Sequence, residues 1–128
     1  MTQGLVDTSV FVAFEGGRVV ARDRMPAQIL VSVISVGELR AGVLATDEPR
    51  IRAQRLETLA LALSFDSIPI DDDVAAAWAR LRIELRMRGR SMPVNDSWIA
   101  ATAMSLGVPV VTQDADYVDV PGLDVIRV

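Results

Sequence analysis

Short β-branched runs alternate with amphipathic helical stretches from one end of the chain to the other, and this alternation limits the fold more than any other feature. Gly4-Leu5-Val6-Asp7 predicts a short buried strand running into a helix that begins near Thr8 or Ser9, carries Val10, Phe11 and Phe14, and stops at Gly16-Gly17. Ile29 to Val33 predicts a second strand, and Ser35 starts a helix with Val36, Leu39 and Val43 on one stripe. A further helix from about Pro49 to Leu63 has Leu56, Leu59 and Leu63 at helical spacing. Phe65 to Ile70 predicts the third strand. Asp71-Asp72-Asp73 then opens a helix whose stripe is Val74, Trp78, Leu81 and Leu85 and whose stop is Gly89. After a loop from Ser91 to Val94, Asn95 or Asp96 caps a helix that runs through Leu106 to Gly107. Val108 to Val111, ending at Thr112, is the fourth strand, and Leu123 to Arg127 a last one beyond the acidic loop Gln113 to Asp119.

Strands separated by helices pair in parallel, because parallel neighbours need crossover connections. The expectation is a three-layer α/β/α fold around a mostly parallel sheet, with residues 1–128 as a single domain. Ligands in such sheets sit beyond the carboxyl ends of the strands.

Composition then narrows the chemistry. A chain of 128 residues, 51% hydrophobic, buries enough surface to fold without disulfides or structural zinc. It holds no Cys, His or Lys, which excludes thiol nucleophiles, His acid–base pairs, catalytic triads, His- or Cys-ligated metals, Schiff bases and P-loops. Carboxylate, hydroxyl, amide and guanidinium remain. The first basic residue is Arg18 and no apolar run nears the roughly 18 residues that span a bilayer, so a soluble cytoplasmic protein with no membrane partner is expected. A formal charge of −4 argues against a nucleic-acid partner unless the basic charge is clustered or the acids hold divalent metal.

The acids fall where ligands bind. Asp7 closes the first predicted strand and Asp114 lies just past the fourth, so both belong to one sheet edge. Positions 96, 99, 100 and 103 share a helical face, which makes Asp96 the leader of the apolar stripe Ile99, Ala100 and Ala103. Glu38, in the first turn of its predicted helix, shares a face with the small residues Ala41, Gly42 and Ala45. Singly, each acid has an ordinary structural role. Ser35-Val36-Gly37-Glu38 fits a capping box, and Asp96 suits a cap or first turn, worth about 0.5 to 2 kcal/mol. Asp71 to Asp73 are read as caps alone.

Capping, however, does not require several carboxylates to meet at one edge. Carboxylates within a few ångströms repel, raise one another's pKa and cost stability unless a cation joins them. Mg²⁺ or Mn²⁺ is the natural partner. Such an ion lowers the pKa of a bound water and stabilises charge on a phosphoryl oxygen, which suits phosphodiester hydrolysis without His or Cys.

At this point the chain resembles the PIN-domain ribonucleases and, within them, the VapC-type toxins of bacterial VapBC toxin–antitoxin pairs. Four stretches carry the resemblance: Val6-Asp7-Thr8-Ser9-Val10, Ser35-Val36-Gly37-Glu38-Leu39, Asn95-Asp96 with Ile99 to Ala103, and Val111 to Tyr117. The resemblance implies a PIN fold and an endoribonuclease that uses one or two Mg²⁺ (or Mn²⁺) ions and leaves 5′-phosphate and 3′-hydroxyl ends. Asp7 and Asp96 match the family's metal-binding aspartates, and Glu38 matches its helix glutamate. The fourth acid is either Asp116, which stands before the aromatic Tyr117, or Asp114, where the family often has Asn. Thr8, Ser9 and Thr112 match hydroxyl positions beside the acids, where they either orient a water or act as cap and strand-end bonds; Asn95 is the supporting neighbour of Asp96. The resemblance also implies a cognate VapB-type antitoxin, and often a toxin homodimer.

Other features leave alternatives open. Arg80, Arg82, Arg86, Arg88 and Arg90 are either a solvated helix face, a surface for an acidic partner, or a phosphate-binding strip for RNA, since the segment leads toward Asp96. Trp78 lies on a predicted buried stripe, whereas Trp98 is off its helix's stripe and either packs there or stacks on a base. Ile51 to Phe65 is apolar beyond one stripe and is either covered within the chain or faces a partner. The alternative to a nuclease is a catalytically silent module that keeps the acidic pocket and binds a partner protein.

Overall fold

The computed structural model describes residues 2–128. Strands β1 (Gln3–Val6), β2 (Gln28–Ser32), β3 (Asp66–Ile68), β4 (Val110–Thr112) and β5 (Val125–Arg127) form one sheet, ordered β3-β2-β1-β4-β5, with every pair parallel. The helices are α1 (Thr8–Glu15), α2 (Val33–Leu44), α3 (Pro49–Leu63), α4 (Asp72–Met87) and α5 (Val94–Leu106).

Adjacent residues of a strand point to opposite faces, and the doublets Leu5-Val6, Leu30-Val31 and Val110-Val111 divide accordingly. Leu5, Leu30 and Val110 pack with Leu81 and Leu85 of α4 and Ile99 and Ala103 of α5. Val6, Val31 and Val111 pack with Phe11 of α1, Leu39 and Val43 of α2, and Leu59 and Ala62 of α3. The product is the three-layer α/β/α arrangement expected from the alternation. The chain moves outward from β1 to β2 and β3, then returns to the other side of β1 for β4 and β5. A crevice for ligands opens where that order reverses, at the carboxyl ends of β1 and β4.

Several local expectations are corrected. Helix α2 begins at Val33, with Ser32 as its N-cap accepting the Ile34 N–H at 3.0 Å. Ser35 is therefore buried inside the helix and Glu38 stands in the second turn, so the Ser35–Glu38 capping box does not form. Helix α5 begins at Val94, with Pro93 at the cap and no side-chain cap bond. Asn95 and Asp96 lie in the first turn, which leaves the Asp96 carboxylate free for tertiary contacts. Helix α3 keeps the expected bounds but buries Thr58, Leu59 and Ala62, leaving Leu56 and Leu63 about half exposed at 49% and 46%. Strand β4 starts only at Val110, after a Pro109 that has no amide to donate. Trp78 is half-buried rather than core, its indole N–H donating to Ser97 Oγ at 3.0 Å. Among the described residues no helix is long and apolar enough to cross a membrane.

Candidate functional site

The register of β1 on β4 builds the centre of the site. Val6 pairs with Val111, so the next residues along, Asp7 and Thr112, emerge side by side at the carboxyl edge. Asp7 is only 2% exposed, and both of its oxygens are occupied: Oδ2 accepts from Thr112 Oγ1 at 2.9 Å, and Oδ1 accepts from the Tyr117 hydroxyl at 3.1 Å. Asp7 is also the N-cap of α1, with the Ser9 N–H 3.4 Å from Oδ2. Thr112 Oγ1 in turn accepts the Asp114 N–H at 2.8 Å and lies 3.2 Å from Ser9 Oγ, which accepts the Gln113 N–H at 3.0 Å. A buried carboxylate without such donors would be far costlier to hold.

Tyr117 ends a 3-10 turn, Ala115–Tyr117, whose cap is Asp114 Oδ1 accepting the Asp116 N–H at 3.1 Å. Its ring is fully buried in the core on the α4 and α5 face, and its hydroxyl reaches both Asp7 Oδ1 and, at 3.2 Å, Asp96 Oδ1. One phenolic proton thus serves two carboxylates. Burial, reinforced by the charges of Asp7 and Asp96, holds the Tyr117 hydroxyl well above its ordinary pKa, so it stays a donor.

Around this bridge the acids crowd. Oxygens of Asp96, Asp114 and Asp116 all lie within 4.8 Å of one another. Burial pushes the Asp96 carboxyl up to about 7, aided by the adjoining Asp116 carboxyl and the charge of Asp7, with the Tyr117 hydroxyl partly opposing. Glu38 enters from α2, its Oε1 accepting from Thr8 Oγ1 at 2.8 Å, while that hydroxyl lies 2.9 Å from the buried Ser35 Oγ. Asp7, Glu38, Asp96 and Asp114 line one cavity of about 540 Å³, together with Arg18 and Arg127.

A family model for the PIN domain matches residues 4–123, a span that takes in all of these acids. The chain belongs to the PIN-domain family. It is 46% identical over 128 residues to Ribonuclease VapC5 of Mycobacterium tuberculosis, covering 98% of this chain and 95% of that one. It is 43% identical over 126 residues to Ribonuclease VapC4 of the same organism, covering 98% and 97%. Its fold matches a chain in the crystal structure of VapBC-5, a VapBC-family toxin–antitoxin system from M. tuberculosis, with a TM-score of 0.91, 42% identity and full coverage of both chains.

As a PIN-domain site the pocket suits a hard divalent cation, since every donor is an oxygen. Three carboxylates also converge with no cation paired to them. Among the described residues the one ion pair is Arg88 with Glu84, at 3.1 Å.

The remaining candidates sit elsewhere. Asn95 is exposed and outside the acidic cavity. None of Arg80, Arg82, Arg86, Arg88 or Arg90 lines that cavity either. Arg82 lies 4.9 Å over the Trp78 ring, Arg90 donates to the Val118 and Asp119 carbonyls, and Arg82, Arg86 and Arg90 line a separate cavity of about 530 Å³. Trp98 stacks flat on Trp78, centroids 4.2 Å apart and planes 2° apart, so one of its faces is taken. Sequence reasoning missed the Tyr117 bridge, Ser35 behind Thr8, and the arginines at the pocket itself, Arg18 and Arg127. Only Tyr117 carried a signal: the one aromatic with a polar tip inside the acidic loop Gln113 to Asp119.

Proposed function

We propose that this chain is a Mg²⁺- or Mn²⁺-dependent endoribonuclease that hydrolyses RNA phosphodiester bonds at its acidic pocket, acting in the cytoplasm as the toxin of a type II toxin–antitoxin pair. The convergence of Asp96, Asp114 and Asp116 beside Asp7, uncompensated by any paired cation, carries this reading. Kinship with proteins named as VapC ribonucleases supports the reaction class.

In this reading Asp7, Asp96, Asp114 and Asp116 hold the ion, with Glu38 completing the acid set. When bound, the ion offsets carboxylate repulsion, makes water a better nucleophile and stabilises charge on a phosphoryl oxygen. The chain's own residues provide orientation. Thr112 and Tyr117 fix the two oxygens of Asp7, Tyr117 ties Asp7 to Asp96, and Thr8 fixes Glu38 Oε1. Ser9 supports Thr112 from the first turn of α1. Such outer partners keep ligand side chains in one rotamer, so little ordering is left for the moment of binding.

The partner in this reading is a VapB-type antitoxin, in keeping with the similarity to a VapBC pair. Helix α3, with Ile51, Leu56, Leu61 and Leu63 exposed, offers apolar surface for that antitoxin or for a second copy of the toxin. The test is direct. Purified chain, freed of any antitoxin, should cut RNA with Mg²⁺ or Mn²⁺ and stop when EDTA is added. No cleavage across single-stranded and structured RNAs would overturn the reading and leave the acidic-pocket binding module in its place.

A further inference from the structure

We propose that Arg18, Arg127 and Arg24 form a phosphate track along which one side of the bound RNA strand runs out of the acidic pocket. This rests on the ribonuclease reading and names the substrate contacts within it. A polyanion entering a cavity lined by four carboxylates needs cations close to its flanking phosphates. The five arginines of the α4 segment do not line that cavity, whereas Arg18 and Arg127 do.

The chain builds this rim deliberately. Helix α1 ends in a reversal at Gly17, whose φ of +70° suits glycine, and the Arg18 N–H bonds back to the Ala13 carbonyl at 2.9 Å. Arg18 is thereby set at the mouth, and its guanidinium makes no hydrogen bond or ion pair among the described residues. Gln113, next to Thr112, fastens the other parts. Its side-chain amide donates to the Val19 carbonyl at 2.8 Å and to the Val128 carbonyl at 3.4 Å, and its own carbonyl accepts from Arg127 Nη2 at 3.1 Å. The loop after α1 and the end of β5 are therefore tied to the residue that follows β4.

Beyond Arg127 the side chains of the lining change character. A second hollow of about 290 Å³ shares Gln113 and Arg127 with the acidic cavity and adds Arg24 and Val128, with no Asp or Glu side chain among them. Arg24 Nη1 donates to the Arg127 carbonyl at 3.3 Å, which keeps the two guanidinium-bearing residues together. Arg22 takes no part, because it lies 4.9 Å over the Phe14 ring. The path thus runs from an acid-lined centre, past Arg18 and Arg127, to Arg24. Guanidinium groups suit phosphate through paired N–H donors.

The experiment measures fluorescence anisotropy of a labelled single-stranded RNA on the Asp96→Asn protein with Mg²⁺, over a series of salt concentrations. Arg18→Ala, Arg24→Ala and Arg127→Ala should each weaken binding several-fold and lower the slope of log K against log salt by about 0.7, one phosphate contact on a single strand. Arg18→Lys and Arg24→Lys should keep the slope, which separates loss of charge from loss of fold. With Asp96 restored, the Ala variants should raise KM more than they lower kcat. Unchanged slopes overturn the proposal, as does a loss that follows Arg82→Ala and Arg86→Ala instead. An acidic peptide that binds and is lost from the rim variants, while RNA binding is not, overturns it too by assigning the track to a protein. If the wild-type chain cuts RNA and the rim variants match it, the track alone fails; if the wild type neither binds nor cuts RNA, the ribonuclease reading fails with it.

Discussion

Two acidic clusters in this chain do opposite things. Asp71, Asp72 and Asp73 are consecutive and exposed; Asp71 Oδ1 caps the Val74 N–H at 2.9 Å, and the other two stand in the first turn of α4. Successive side chains in a helix diverge by about 100°, so neighbours in sequence fan apart into solvent near the positive end of the dipole. Asp7 and Asp96, by contrast, come from different elements and share one Tyr117 proton. Parallel register and a buried hydroxyl bring together what the chain keeps apart. Density of like charge along a sequence is thus a poor sign of a site, and its convergence at a strand edge is a good one.

The contrast can be broken most sharply by neutralising one acid from each cluster. Asp96→Asn or Asp7→Asn should lower RNA cleavage by about two to three orders of magnitude, the several kcal/mol of charge stabilisation a catalytic ion supplies. Asp72→Asn should leave cleavage at the wild-type rate in the same assay. Tyr117→Phe keeps the ring's packing but removes the bridging proton. Calorimetric titration should show Mn²⁺ affinity reduced by about tenfold, as for other outer-shell partners of metal ligands.

A smaller effect concerns pH. The Asp96 carboxyl is raised to about 7 in the folded chain against an ordinary 3.8, so between those values the folded state binds a proton that the unfolded state does not. Stability of the metal-free protein should therefore fall as pH rises from about 4 to about 7. The group is half-buried, and with solvent screening the loss is about 1 to 2 kcal/mol. Urea titrations in EDTA should show this slope, and Asp96→Asn or saturating Mg²⁺ should flatten it. The smallest effect belongs to the other cluster: Asp71→Ala should cost about 1 kcal/mol of stability, with cleavage unaltered.

Much of the fold is legible because its causes are local. The doublets Leu5-Val6, Leu30-Val31 and Val110-Val111 announce a sheet covered on both faces, and Pro49 opens α3 where a first-turn proline belongs. The acids of the pocket are legible for a related reason, since parallel strands share their carboxyl edge. Other features have no local cause. Ser32 and Ser35 are equally good caps by residue type, and only the end of β2 decides for Ser32. The Gln113 contact with Val19 spans 94 positions and the Tyr117 contact with Asp7 spans 110, so no spacing rule could reveal them. The five-arginine segment draws attention by density alone, whereas Arg18 and Arg127, each isolated in sequence, stand at the pocket.

The proposed cation site belongs to the pocket acids gathered from separate elements and not to the three consecutive aspartates at the start of α4. Titrating Mn²⁺ into the metal-free protein, with unbound ion counted by electron paramagnetic resonance, addresses it directly. Saturable uptake should persist in a variant carrying Asn at positions 72 and 73 and vanish in Asp96→Asn. Uptake that survives Asp96→Asn, or that disappears with the pair on α4, would place the ion outside the pocket.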